Sequence, residues 1–160
     1  MFNKPLAINR KGASFAFTYG ADLSRYKQVR NEGGNTITTH TIDKLYEVEF
    51  EGSESRWKAY LGDVAIISDS DTIDGQKKIR FTLRDRLGSA VTFADHNGYA
   101  VAKRHFDPFG KPLGGDWSDL QGLTGAATLS NNLADLEMPS RRGFTDHEHL
   151  DKAELIHING

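Results

Sequence analysis

Alternation of apolar and polar residues along the first hundred positions predicts short β-strands. Between residues 46 and 51, Tyr, Val and Phe alternate with three glutamates, and between 56 and 61 Trp, Ala and Leu alternate with Arg, Lys and Tyr. Side chains two residues apart share one face of a strand. Glycine, asparagine and aspartate separate the segments and favour turns. The pattern predicts a mainly β fold of antiparallel hairpins.

Ten strands follow from this pattern. They are residues 5–9, 14–19, 25–30, 36–42, 46–51, 56–61, 64–68, 77–83, 90–95 and 99–104. Between the last two, Asn97-Gly98 predicts a two-residue turn, because both residue types tolerate positive φ. Between residues 51 and 56, a four-residue loop over 52–55 would set Phe50 opposite Trp57 and Glu49 opposite Lys58.

The chain changes character after Trp117. Residues 118–140 are rich in Gly, Ser, Asn, Leu and Thr without alternation, which predicts a long loop or insertion. Thr145 and Glu148 have the spacing of a capping box, so we expect one short helix that starts at Asp146. Residues 155–158 form a predicted strand. The expected organisation is a hairpin array over 1–117, a loop over 118–140 and a terminal segment over 141–160.

A strand, an Asp/Gly turn and a second strand recur along the chain. The three versions are residues 19–26, 83–89 and 106–113. One hairpin cannot bury its own apolar face and must stack on its neighbours. The repetition therefore favours a wall, a shell or a binding surface over a compact enzyme.

Composition removes several classes of function. The 160 residues carry a formal net charge of −2, which gives no electrostatic basis for binding nucleic acid or an anionic membrane. The absence of cysteine excludes disulfides, thiolate metal sites and cysteine nucleophiles. No run of about 18 apolar residues and no signal-peptide core occurs. We expect any export to use a specialised apparatus or a longer chain.

Two segments could hold a metal. Asp146-His147-Glu148-His149 is dense in ligand types, but the zinc-protease motif would need a second histidine at Asp151. Residues 69–75 resemble a calcium loop, yet Ile73 and Arg80 would occupy ligand positions. Turn capping and a solvated loop are the favoured explanations, and metal binding is the alternative in each case.

Catalytic constellations are weak. Asp85 and Asp107 each stand beside a turn residue, so Asx-turn bonding to backbone amides explains them better than a proteolytic pair. Ser89 and His105 lack the context of a nucleophile elbow. We assign no catalytic residue, no metal ligand and no cofactor. The strand aromatics are expected to be packing anchors, with stacking on sugars as the alternative; they are Phe15, Phe17, Tyr19, Tyr46, Phe50, Trp57 and Phe106.

Several blocks in order resemble the Rhs/YD-repeat family of bacterial polymorphic toxins, which is related to the C component of Tc toxin complexes. The blocks are Asp85-Arg86-Leu87-Gly88-Ser89, Asp95-His96-Asn97-Gly98, Phe106-Asp107-Pro108-Phe109-Gly110, Gly115-Asp116-Trp117, residues 141–151, and Leu155-Ile156-His157-Ile158-Asn159-Gly160. Two positions depart from the family: Arg86 replaces the usual His and Asp146 the usual Gly. A tight turn at Asp146 is in question, because positive φ costs more without Gly.

The resemblance implies a role in a shell. Repeats of this family wind into a hollow β-hairpin cocoon around a C-terminal toxic domain, used in interbacterial or host-directed competition. The aspartic autoprotease blocks of the family would follow Gly160, so we expect a truncated fragment without enzymatic activity. Its partners would be the rest of the shell, the toxin domain and a secretion component, in a secreted or cell-surface protein. Unpaired strand edges of the isolated piece should promote association. A cell-surface or carbohydrate-binding module is the alternative.

Overall fold

The chain is mainly antiparallel β-structure, as the alternation predicts. The computed structural model describes residues 4–69, 78–113, 139–150 and 153–157. It divides into two compact units, residues 1–78 and 79–160, which are taken separately below. Within the described ranges, no helix has the length and apolar character needed to cross a membrane. The predicted calcium loop, except Asp69, and the loop over 118–138 lie outside the described residues.

The first unit is a ladder in which every strand pairs with the next one along the chain. Its strands are β1 (Ala7–Arg10), β2 (Ala13–Tyr19), β3 (Arg25–Glu32), β4 (Asn35–Ile42), β5 (Tyr46–Glu51), β6 (Glu54–Leu61) and β7 (Ala65–Ser68). All six pairings are antiparallel. Tight turns make this order possible: Lys11 and Gly12, and Gly33 and Gly34, have the positive φ angles of primed hairpin turns.

The β5–β6 register differs from the predicted one by two residues. Phe50 lies opposite Ser55 instead of Trp57, and Glu49 lies opposite Arg56. The connection is the two-residue turn Gly52-Ser53, with Gly52 at φ 60, which lets the ladder continue to Glu51 and Glu54. A shift of two keeps each side chain on its predicted face, because the period of a strand is two. The four-residue loop was wrong, while the facial assignment was right.

The buried face of this ladder is not the one that carries the aromatic stripe of β5 and β6. Phe15 and Phe17 of β2 are buried, and Arg30 and Tyr60 are buried on the same face. Phe50, on the opposite face, is 44% exposed. On the buried face, Arg30 forms an ion pair with Glu49 at 3.4 Å.

The second unit combines three ladder strands with two small hairpins. β8 (Lys78–Arg84), β9 (Ala90–Ala94) and β10 (Ala100–Lys103) are antiparallel neighbours. β11 (His105–Phe106) pairs with β12 (Pro112–Leu113), and β13 (Glu148–Leu150) pairs with β14 (Leu155–His157). The last of these confirms the strand predicted near the C-terminus, over residues 155–157.

The short helix predicted from Asp146 does not form. The chain makes a single 3-10 turn at Phe144–Asp146, and Glu148 begins β13. The Thr145 hydroxyl contacts the Phe144 carbonyl and His147 Nδ1, each at 2.8 Å, and makes no helix cap. The capping-box spacing was misleading because local side-chain bonds compete with helix formation.

Candidate functional site: the Asp–Gly turns and the Arg104 cluster

One turn geometry recurs across the described part of the chain. In the turn that starts at Asp85, the amide of Asp85 donates to the Ser89 carbonyl at 3.0 Å, and the amide of Gly88 donates to the Asp85 carbonyl at 3.1 Å. The same pair of bonds closes the turns that start at Gly20, Asp95, Asp107 and Gly143. The cassettes found in the sequence therefore share a backbone, not only a composition.

The aspartate side chains complete three of these turns. Asp85 Oδ1 accepts from the amides two and four positions on, both at 2.8 Å. Asp107 Oδ1 does the same at 2.8 and 2.9 Å. The Asx-turn prediction for Asp85 and Asp107 is confirmed, since each carboxylate accepts amides of its own turn. In both turns the fourth residue is a glycine with φ 84.

Asp95 forms the third such turn, which replaces the two-residue turn predicted at Asn97-Gly98. Its Oδ1 accepts from the amides of Asn97 and Tyr99, both at 2.9 Å. Burial acts to raise the pKa of Asp95, but these two amide bonds and the neighbouring His96 outweigh it and hold the pKa below its usual value. Asn-Gly was the visible signal, and the aspartate two residues earlier decides the geometry.

Asp146 occupies the position that glycine takes in the other Asp–Gly turns. Its φ is 62, and the tight turn forms in spite of the cost of that angle. Asp146 Oδ1 accepts from Arg84 Nη1 at 2.8 Å, and the same nitrogen donates to the Gly88 carbonyl at 2.7 Å. The departure from glycine is thus accompanied by an ion pair that joins two turns of the second unit.

Arg104 is the centre of the second unit. It is buried, and its guanidinium donates to the carbonyls of Ala90 at 2.8 Å, of Ser140 at 3.3 Å and of Arg142. Its guanidinium carbon lies 5.2 Å from the ring centre of Phe93 and 5.5 Å from that of Phe106. One cation thereby holds strands β9 to β11 and the segment 139–142, which are distant in sequence.

His149 is buried beside Arg104. Its Nε2 accepts the amide proton of Phe144 at 3.1 Å, so the neutral ring carries its own proton on Nδ1. Burial first, and then the charges of Arg104 and His147, lower the pKa of His149 from 6.5 to about 3. A β-carbon on Gly143 would come within 2.6 Å of the same Nε2. The ring is a structural acceptor, packed tightly against this glycine.

The side chains of the predicted metal-binding segment, residues 146–149, bond to different partners within the fold. His147 Nδ1 lies 2.8 Å from the Thr145 hydroxyl, Asp146 binds Arg84, and His149 Nε2 accepts an amide. Of the residues described, no three His, Cys, Asp or Glu side chains come together as a possible metal site. Asp151, where the zinc-protease motif would need a histidine, lies outside the described residues.

The structure places Ser89 in a hydrogen bond between turns and His105 in a strand pair. Ser89 is fully buried, and its hydroxyl accepts the amide proton of Thr145 at 3.1 Å. His105 lies in β11, opposite Leu113. Ser89 therefore stabilises the 143–147 turn from a position 56 residues away in sequence. Sequence patterns missed this contact and the role of Arg104, because neither has a local signal.

The candidate aromatic residues differ in how deeply their side chains are buried. Phe15 and Phe17 are buried, and the Tyr19 hydroxyl donates to the Pro5 carbonyl at 2.8 Å. Tyr46 and Trp57 are half-buried and stacked with ring centres 5.8 Å apart. Phe106 packs on Phe144 and His149, and Phe50 is exposed. The packing-anchor prediction holds for the buried rings and not for Phe50.

Three solved structures of Tc toxin complexes share this fold. A complex of TcdB2, TccC3 and Cdc42 matches with a TM-score of 0.61 and 12% identity, over 88% of this chain and 7% of that one. TcdB2–TccC3 without its hypervariable C-terminal region gives 0.64 and 11%, over 88% and 7%. The TcdB2–TccC3–TEV structure gives 0.63 and 13%, over 90% and 7%. No family model matches the chain, and no curated sequence does.

The likeness concerns the fold of a small part of much larger assemblies. The chain spans about 7% of the length of each matching structure. At these identities the likeness extends to the architecture, a run of antiparallel hairpins, and not to activity. The fold and its recurring turns make this chain a β-hairpin array. Its architecture is that of a small segment of the Tc toxin complexes.

Proposed function

We propose that this chain is a wall segment of an Rhs/YD-repeat toxin shell that encloses a C-terminal toxic domain. The observation that carries the proposal is the uninterrupted pairing of each strand in the first unit with its sequence neighbour, together with the shared fold of the Tc complexes. Such a ladder extends by adding hairpins at its edge, where backbone groups of β1 can pair with another strand.

The proposed role is mechanical and not enzymatic. Three acidic or imidazole groups hold turns: Asp85 and Asp107 accept backbone amides of their own turns, and His149 accepts the amide of Phe144. Partners in this proposal are the flanking repeats, the enclosed toxin domain and a component of a secretion apparatus. The whole protein would act outside the producing cell or at its surface, in competition with bacteria or against a host.

Protease protection of the enclosed domain tests the proposal. In the full-length protein that carries these residues, a protease should leave the toxin domain intact while the shell is folded. The variant Asn9→Pro, which disturbs pairing at β1, should expose the domain to cleavage. Ser53→Ala, an exposed change in the β5–β6 turn, is the control and should protect as the original does. Equal digestion of the toxin domain in all three proteins would contradict the wall role.

One observation favours the alternative, a carbohydrate-binding module. Tyr46 and Trp57 stack side by side, and the exposed Phe50 shares their face of the ladder. Rings arranged in this way can stack on a sugar face. A change in tryptophan fluorescence on titration with oligosaccharides, lost in Tyr46→Ala and Phe50→Ala, would support this function. Unchanged emission throughout would exclude it for the sugars used.

A further inference from the structure

The turn that starts at Asp95 differs from two similar turns at one position. In the turns that start at Asp85 and Asp107, the residue before the positive-φ glycine is apolar, whereas Asn97 occupies this position here. The backbone bonds are the same in all three turns, so the geometry does not require asparagine. Asn97 therefore gives this turn a chemical property that the other two lack.

A carboxamide followed by glycine has a reaction of its own, and asparagine is a thermolabile residue for this reason. The Gly98 amide nitrogen attacks Cγ of Asn97, which closes a five-membered ring through the Asn97 Cβ, Cα and carbonyl carbon. The new N–Cγ bond replaces the bond from Cγ to the side-chain nitrogen, which leaves as ammonia with the proton of the Gly98 amide. Water then opens the cyclic imide at either carbonyl and gives aspartate or its β-linked isomer. Solvent water is the only reagent.

The surroundings of Asn97 admit this reaction. Asn97 and Gly98 are both exposed, so water reaches the carboxamide and the imide. A β-carbon added to Gly98 would meet nothing within 4 Å beyond its chain neighbours. The attacking nitrogen is therefore not shielded by packing, and the folded turn has room for the ring.

Asp95 opposes the reaction in two ways. Its Oδ1 accepts the amides of Asn97 and Tyr99, both at 2.9 Å, and its carbonyl accepts the Gly98 amide at 3.1 Å. Attack requires the Gly98 nitrogen to give up this bond and its proton. The carboxylate is negative at neutral pH, because the pKa of Asp95 lies below its usual value, and it disfavours a second negative charge on a nitrogen of the same turn.

We propose that Asn97 is a modification site, at which the carboxamide converts to a carboxylate through a cyclic imide with Gly98. The turn built on Asp95 delays this conversion while the β9–β10 hairpin is closed. The inference is independent of the proposed wall function, because it rests on the turn alone.

Conversion would alter the second unit beyond the turn. The β-linked product lengthens the main chain by one carbon, so the bond from the Asp95 amide to the Tyr99 carbonyl, now 2.9 Å, no longer fits. The adjoining strand β9 carries Phe93 and Ala90, and both contact Arg104. A turn that no longer closes should therefore weaken the contacts of Arg104.

Peptide mapping by mass spectrometry of the chain stored at mildly alkaline pH tests the inference. Methylation by an isoaspartate methyltransferase identifies the β-linked product. We expect slow conversion of Asn97 in the folded chain, and conversion about tenfold faster in Asp95→Ala and in the chain unfolded in guanidinium chloride. Asp95→Asn keeps an acceptor without the charge and should react at an intermediate rate. Asn97→Gln, which would need a larger ring, should stay unmodified at this position.

Internal controls come from the same maps. Asn31 is followed by Glu32, whose side chain hinders attack, and should convert far more slowly; the pair Asn159-Gly160 gives a separate peptide. If residue 97 is unmodified in both the original chain and Asp95→Ala, the site is overturned. Equal rates in the folded original, Asp95→Ala and the unfolded chain overturn the delaying role of the turn. The unfolded chain keeps this comparison valid if Asp95→Ala fails to fold, and no outcome bears on the protease-protection test of the wall.

Discussion

Each of the two units is held together internally by a different kind of contact. In the first, every strand pairs with its sequence neighbour, and bonds such as that between Tyr60 and Glu47, at 2.8 Å, join adjacent strands. In the second, the decisive bonds span long stretches of chain, as from Arg84 to Asp146 and from Arg104 to Ser140. A ladder can gain or lose hairpins at its edge, because each strand contacts only its neighbours. In a network of shared hydrogen bonds, the stability contributed by one residue depends on the others.

Two buried arginines illustrate the difference. Arg30 is paired with Glu49 across the ladder at 3.4 Å, so its charge is balanced by a carboxylate two strands away. Arg104 instead donates to three carbonyls and lies between two rings. The first arginine strengthens a wall locally; the second fixes the return of a distant segment.

The largest effect is expected from Arg104→Ala. It leaves carbonyls of Ala90, Ser140 and Arg142 without this donor, and we expect the free energy of unfolding to fall by about 3–5 kcal/mol. Arg104→Lys keeps the charge but not the planar fork, and should lose less. Urea denaturation measures both. Equal stability of Arg104→Ala and the original chain would show that the cluster does not hold the unit.

The next effect concerns two glycines with nearly the same φ. Gly98 (φ 85) and Gly110 (φ 84) differ in that a β-carbon at Gly98 meets nothing within 4 Å, while one at Gly110 would come 2.5 Å from Ile156 Cδ1. Gly98→Ala should cost about 1–2 kcal/mol for its backbone angle. Gly110→Ala should cost about 1–3 kcal/mol more, because the added methyl group would crowd the side chains of Ile156 and Phe144. Equal losses of unfolding free energy would rule out tight packing at Gly110.

The pH dependence of stability tests His149. Its pKa is lowered from 6.5 to about 3, so between these values the unfolded state binds more protons than the folded state. The free energy of unfolding should therefore fall as the pH drops from 6.5 towards 3, by at most about 1.4 kcal/mol per pH unit. His149→Gln should flatten the profile, because it removes the group whose pKa changes on folding. An identical slope in His149→Gln would contradict the assignment.

The smallest effect compares two non-glycine turn residues. Lys44→Gly in the ladder (φ 59) relieves the backbone and should change stability by about 0–1 kcal/mol in the favourable direction. Asp146→Gly (φ 62) gives the same relief but loses the ion pair with Arg84, worth about 0–1 kcal/mol at this exposure. Its net effect should be less favourable than that of Lys44→Gly. A more favourable result in thermal unfolding would mean that the ion pair does not stabilise the turn.

The register error at β5–β6 shows what local patterns can decide. Alternation assigned Phe50 and Trp57 to one face correctly, because period two depends only on sequence. The pairing partner depended on loop length, which Gly52-Ser53-Glu54-Ser55 leaves open between two and four residues. The exposure of Phe50 was also out of reach, since it depends on which face of the whole ladder is covered.

The sequence by itself determined the β class, most strands and the turns at Asp85 and Asp107, because alternation and turn chemistry act over short stretches of chain. Tertiary structure alone decided the buried position of Arg104, the acceptor role of His149 and the tight turn at Asp146. Arg104 and Asp146 have partners dozens of residues away, and His149, whose amide partner is close in sequence, is buried beside Arg104. No local pattern encodes such contacts, since they exist only once the strands have brought distant carbonyls and rings together.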